Sequence, residues 1–351
     1  MPRRLVATAP HVLAVEEYEP QAVGPTQVRV RSEYASGKHG TAVAIFDNVN
    51  FAGQKFDLEM RLFQTAPGAP AQAAPTAYAT PQPQGTTAVG VVEEVGADVT
   101  GLRVGDRVVG LMKVAEQNVV DAKSVWLLGD ADPVQALCIE PGYVSIHAIR
   151  EGQIRFGDTV AVIGLGAIGL IAVQMASRAG AGLVVAVDPL AKRREWALAH
   201  GADAVLDPTT DDVPLAIHEL TGGAGVDVAI EASGSYHALE AAIKSTRMRG
   251  TVSAAGFYQG GATPVWLGRE FHHNRITLVA PHGCGWGHEP RDYPRWDEYR
   301  TYAAMVEMLQ RRRLDLDGLI DPIVGLDEMP DTWRRIEDDP GSVIKYGVRF
   351  A

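Results

Sequence analysis

Apolar and polar positions change rhythm twice along the chain. From Leu5 to about Leu128 the apolar runs are short and punctuated: RLVATA, QVRVRSEY, AVGVVEEVG, GDRVVGLM and VWLL. Bounded by Gly, Pro and Asp, they predict the strands of an antiparallel barrel or sandwich. Between them, residues 67–83 are rich in Pro and Ala and poor in charge. Proline removes backbone donors and fixes φ, so this stretch predicts a long loop. From about Gly157 to Ala280, β-branched runs of about five residues alternate with amphipathic stretches of 10–14, the signature of βαβ units and a parallel sheet. The runs TVAVIG, LVVAVD, AVLD, VDVAIEA, GTVSAAG and RITLVA make six strand candidates, and a helix is expected from Tyr236 to Thr246. The tail is mixed. It predicts helices at about Asp297–Arg313 and Asp331–Glu337, a strand in GLIDPIVG and a last strand in YGVRF, folding back onto the N-terminal region.

With 351 residues the chain exceeds the usual size of one domain, and 46% hydrophobic against 21% charged residues supports packed cores. The expected division is 1–146, completed by 286–351, and 147–285. A formal charge of −11 repels phosphate backbones and anionic lipid, which argues against nucleic-acid and membrane-surface roles. Cys138 and Cys284 are the two cysteines, so a four-cysteine zinc lobe is impossible and a disulfide framework is excluded in practice. The first residues carry no apolar stretch of secretory length, and the longest apolar run, Val160–Met175, is shorter than a bilayer span. A cytoplasmic protein is expected.

Gly164-Leu165-Gly166-Ala167-Ile168-Gly169 reads GxGxxG between a strand and a helix, the context that makes this motif specific. Its first glycine permits the tight turn, its second a close approach of a pyrophosphate, and its third close helix–strand packing. The diphosphate then rests on the helix N-terminus, on the amides of Ala167 and Ile168. Asp188 ends the second strand 19 residues beyond Gly169, where a carboxylate accepts from the ribose hydroxyls of NAD and repels the 2′-phosphate of NADP. Lys192, Arg193 and Arg194 follow, either as a solvated helix turn or as a basic cluster able to meet that phosphate. Arg193, Ser233 and Gly256 complete the expected cofactor set, and NAD is the expected cofactor.

These motifs, with VGDRV (Val104–Val108), IEPGYVSIHA (Ile139–Ala148) and VDVAIEASG (Val226–Gly234), resemble the medium-chain dehydrogenase/reductase superfamily over nearly the whole length. The likeness is to its zinc-dependent polyol and alcohol branch. YPRW (Tyr293–Trp296) resembles a subgroup with cyclitol and bacteriochlorophyllide dehydrogenases. The resemblance implies an α/β protein with a GroES-like β-barrel catalytic domain and a Rossmann domain built on a six-stranded, doubly wound parallel sheet. It also implies a homodimer or homotetramer.

That family's metal site takes Cys from a stretch like SGxCGTD, His-Glu from one like GHExxG, and an acidic residue or Cys before Pro. Here the three read Ser36-Gly37-Lys38-His39-Gly40-Thr41, Gly85-Thr86-Thr87-Ala88-Val89-Gly90 and Glu140-Pro141. His39 stands at the thiolate position, Thr86 and Thr87 at His-Glu, and only Glu140 is kept. Threonine hydroxyls are poor zinc ligands, so no metal is expected unless Tyr143 or a loop histidine completes the set. Lys38 and His39 are then candidates to polarise the substrate oxygen and move its proton, with Glu140 orienting His39 or fixing a substrate hydroxyl and Thr41 relaying to water. Each also has a structural reading: Lys38 facing solvent, Glu140 capping its helix, His39 as an ordinary junction residue. His147 reads as a core histidine, and His272-His273 as a solvated turn. His282, Cys284 and His288 match no zinc module, while Trp286 and Trp296 are candidates to line a sugar site or simply to pack. The resemblance also puts Pro281 and His282 near the nicotinamide. The expected activity is NAD-dependent hydride transfer between nicotinamide and a secondary alcohol or ketone of a sugar, cyclitol or similar polyhydroxylated small-molecule substrate, without zinc. The alternatives are enone reduction and nucleotide binding without turnover.

Overall fold

In the computed structural model the described residues are 1–47, 54–65, 78–281 and 293–351, the side chains of residues 39, 44 and 55 excepted. The chain divides into two compact units, 1–140 with 302–351 and 141–301. The sequence reading set these boundaries at 146 and 285. The observed ones fall within helices, Ile139–Glu151 and Glu298–Gln310, where no loop signal marks a border.

The first unit is built on a seven-stranded sheet. Its order runs Val125–Leu127, Arg107–Gly110, Thr87–Val95, Gln27–Ser36, Lys345–Arg349, Ile320–Gly325, with Gln117–Asp121 also pairing with Gln27–Ser36. Alternation along the long strand sends Val28 and Val30 into the core, while Arg29 and Arg31 reach across to Glu94 and Glu93. The last strand pairs antiparallel with Gln27–Ser36, Val348 opposite Ala35, and parallel with Ile320–Gly325. The tail therefore folds back as its sequence predicts. Trp333, from the helix Met329–Asp338, is 2% exposed and meets the rings of Phe46 and Tyr346 edge-on. A smaller sheet joins Val12–Glu17, Arg3–Ala9 and the two-residue strand Gln82–Pro83. Gln82–Pro83 corrects the expected uninterrupted loop over 67–83, of which residues 67–77 lie outside the described set.

The second unit holds the parallel sheet, in the order Ala204–Leu206, Leu183–Val187, Thr159–Ile163, Val226–Glu231, Thr246–Ala254, Thr277–Val279. This is the dinucleotide-binding order, with its switch point between Thr159–Ile163 and Val226–Glu231. Its strands read as unbroken apolar runs because helices cover both faces. The helix Tyr236–Ser245 stops one residue early, since Thr246 already begins the next strand. His272 and His273 sit in a short exposed helical turn rather than an open one. No helix of the described residues is long and apolar enough to cross a membrane.

Candidate functional site

The glycine loop follows Thr159–Ile163 directly. Gly164 takes φ +91°, which an L side chain rarely adopts, and a Cβ there would lie 2.7 Å from Ser233. Gly166 caps the helix Ala167–Arg178 from an extended conformation, and a Cβ on it would meet nothing within 4 Å. The first amides of that helix have no carbonyl of an earlier turn to bind, which leaves them for an anion. Gly169 is needed for contact: a Cβ there would lie 1.9 Å from the Gly164 carbonyl oxygen.

Asp188 is 4% exposed, and both its oxygens are held by the loops it joins. Leu165 N–H donates to Oδ2 at 2.8 Å and Leu190 N–H to Oδ1 at 2.9 Å. Arg193 Nη1 lies 3.8 Å from Oδ2. Arg194 is committed elsewhere, to the Asp188 carbonyl at 2.7 Å and to Asp207 at 3.0 Å. Lys192 is exposed. These side chains fit a nicotinamide dinucleotide: a glycine cradle for the diphosphate and a carboxylate for the ribose.

Sequence reading missed Glu231, which ends the strand beside the switch point and is wholly buried. It accepts from Ser233 N–H at 2.7 Å, Gly234 N–H at 3.1 Å, the Ser233 hydroxyl and the Tyr258 hydroxyl. Burial pushes its carboxyl above the usual carboxylate range, and these donors partly offset that rise. A Cβ on Gly256 would sit 2.5 Å from Glu231 Oε2. Ser233 and Gly256 thus help shape the loop around Glu231. The available signal was a carboxylate closing the run VDVAIE after three apolar residues.

The second cluster lies in the first unit. The strand Gln27–Ser36 ends where Ser36 pairs with Thr87, and Thr86 N–H donates to the Ser36 carbonyl at 2.9 Å. Gly37 and Lys38 lead into the helix His39–Asp47, while a short turn, Gln135–Cys138, leads into the helix Ile139–Glu151. Glu140, in the first turn of that helix, pairs its Oε1 with the ammonium of Lys38. Side-chain exposure is 26% for Lys38 and 7% for Glu140, so the pair is largely out of water. Glu140 Oε2 and the hydroxyls of Thr86 and Thr87 are buried without a hydrogen-bond partner among the described residues.

Lys345, also missed by sequence reading, is 3% exposed and donates to the Gly37 carbonyl at 2.8 Å. Burial lowers its ammonium pKa, and the nearby Glu140 works against that shift. Burial also pushes the Cys138 thiol up to about 12. Thr41 lies half-buried in the first turn of the helix His39–Asp47. The backbone of His39 begins that helix, and its side chain lies outside the described set.

His147 is 4% exposed, with its ring edge-on to Tyr143 at 4.5 Å. Its Nε2 has no partner among the described residues, and burial holds its pKa near 4. Trp296 lies between the guanidinium groups of Arg150 at 4.0 Å and Arg300 at 4.5 Å. Pro281 is buried, whereas His282, Cys284, Trp286 and His288 lie outside the described residues. Among the described residues no group of three or more His, Cys, Asp or Glu side chains is arranged to hold a metal ion. The described donors at the three family stretches fit zinc poorly: one carboxylate, already engaged by an ammonium, and two threonine hydroxyls.

Residues 24–129 match the alcohol dehydrogenase GroES-like domain model, and residues 167–303 match the zinc-binding dehydrogenase model. The D-guloside 3-dehydrogenase of Escherichia coli K12 is 37% identical, over 99% of this chain and 100% of its own. The scyllo-inosose 3-dehydrogenase of Thermotoga maritima is 30% identical, over 65% of this chain and 58% of its own. The solved alcohol dehydrogenase TADH from Thermus sp. ATN1 superposes with a TM-score of 0.78 at 21% identity, covering 99% of both chains. By these matches, over a GroES-like unit and a nucleotide-binding sheet, the chain belongs to the medium-chain zinc-type dehydrogenase family and is an oxidoreductase acting on a CH–OH group.

Proposed function

We propose that the protein is an NAD-dependent dehydrogenase of a ring secondary alcohol on a sugar or cyclitol, working without catalytic zinc. The observation that carries this reading is the ion pair of Lys38 with Glu140, at two of the family's three ligand stretches. When bound, NAD supplies the acceptor for the hydride that leaves the substrate carbon. Lys38 donates a hydrogen bond to the substrate oxygen and stabilises the negative charge it gains as its proton departs. His39 takes that proton, and Thr41 passes it towards water. Glu140 holds Lys38 in place and leaves Oε2 for a neighbouring hydroxyl of the ring.

NAD rather than NADP follows from Asp188, which meets the ribose edge with a carboxylate while Arg194 is bound to Asp207 and to the Asp188 carbonyl. The ring substrate is supported by the names of two relatives, which act on a D-guloside and on scyllo-inosose. A homodimer or homotetramer belongs to the same reading, with Thr277–Val279 as the outer strand of its sheet and Leu278 41% exposed on it.

The test is turnover of methyl D-guloside with NAD by Lys38→Met and His39→Ala, alongside metal analysis of active protein. The expected result is a loss in kcat of about 10²-fold or more in each variant, with activity insensitive to chelator and no stoichiometric zinc. Near-normal turnover in both variants, or activity that tracks bound zinc, would overturn the reading.

A further inference from the structure

We propose that Lys345 is a positioning residue, which ties the last strand to the Gly37 carbonyl and so fixes where Lys38 presents its ammonium. This rests on the role given to Lys38 above. A lysine is almost never enclosed to 3% exposure without a partner that repays the loss of water. The partner here is the backbone carbonyl immediately before Lys38, at 2.8 Å.

The bond lies beyond the end of the sheet ladder. The last strand pairs with Gln27–Ser36 at Arg349–Tyr34 and Val348–Ala35. Ser36 Oγ then donates to the Tyr346 carbonyl at 2.6 Å. Gly37 lies against the Tyr346 ring, since a Cβ there would fall 2.3 Å from its hydroxyl oxygen. Lys345 continues this seam by one residue and reaches the chain where ladder geometry no longer constrains it.

Charge acts in the same direction. Lys345 and Lys38 are like charges that repel, and Glu140 attracts both. With the Cys138 thiol held neutral by burial, Glu140 is the carboxylate that answers both ammonium groups. Lys38 is drawn to Glu140 Oε1 and away from the Lys345 side of the loop.

The experiment is a double-mutant cycle on methyl D-guloside oxidation with NAD, comparing wild type, Lys38→Met, Lys345→Met, the double variant and Lys345→Arg. Lys345→Met is expected to lower kcat at least tenfold and to leave the KM for NAD within twofold. In the Lys38→Met background the same change is expected to cost less than twofold, and Lys345→Arg to recover part of the lost rate. An equal cost in both backgrounds, or a kcat within twofold of wild type, would overturn the proposal. If Lys345→Met fails to fold, Ser36→Ala cuts the neighbouring tie from the loop side. A loss of threefold or more that vanishes without Lys38 upholds the proposal, and any other result counts against it. Failure of the underlying reading shows separately, as near-normal turnover of Lys38→Met alone.

Discussion

Glu140 is a carboxyl group almost out of water, with one oxygen on an ammonium and the other on nothing described. Breaking such a pair on one side leaves the other charge uncompensated, so the two single substitutions differ in kind. Glu140→Gln keeps the shape but removes the charge that answers both Lys38 and the enclosed Lys345. It is expected to lower kcat at least tenfold and to lower the urea midpoint. Lys38→Met leaves Glu140 facing Lys345, so its urea midpoint is expected to fall less; equal midpoints would count against this account. At the cofactor end, Asp188→Ser removes the charge that repels a 2′-phosphate, and the NAD-to-NADP ratio of kcat/KM is expected to fall at least tenfold. Lys38, Glu140 and Asp188 were legible in the chain because each lies within a short motif. Lys345 and Glu231 were not, because a charged side chain becomes a buried partner only through neighbours that folding brings to it. For Lys345 that neighbour is 308 residues away.

The strand–loop–helix element around Gly164 separates the fold from the cofactor. At Gly169 a side chain would strike the Gly164 carbonyl, so Gly169→Ala is expected to destabilise the free protein by about 2 kcal/mol or more in urea unfolding. At Gly166 the protein offers no obstacle. Gly166→Ala is therefore expected to leave unfolding unchanged and to weaken NADH binding at least tenfold by fluorescence titration, because only the diphosphate comes close there. The elements legible in the sequence were the apolar runs of the six parallel strands and the amphipathic helices that alternate with them. Gln82–Pro83 and the turn Leu267–Phe271 were hidden because 2 and 5 residues are too few to repeat a strand or helix period.

Acid stability belongs to the whole molecule. His147 is buried neutral with a pKa near 4, against 6.5 for a free imidazole, so on acidification the unfolded chain takes up the proton first. The resulting loss of stability begins below about pH 6.5 and is complete near pH 4, on the order of 2–3 kcal/mol. Urea unfolding across that range should show the slope in wild type, and His147→Gln should flatten it. Order of folding during synthesis follows from another feature of the same scale, the position of the strand Lys345–Arg349 inside its sheet, between Gln27–Ser36 and Ile320–Gly325. The nucleotide-binding unit is one continuous stretch, free to close while the ribosome is still translating. The first unit has to wait. Residues 1–140 leave the exit tunnel with the slot beside Tyr34 and Ala35 unfilled. Until the nascent chain delivers residues 345–349, that edge stays open to chaperones and to wrong partners.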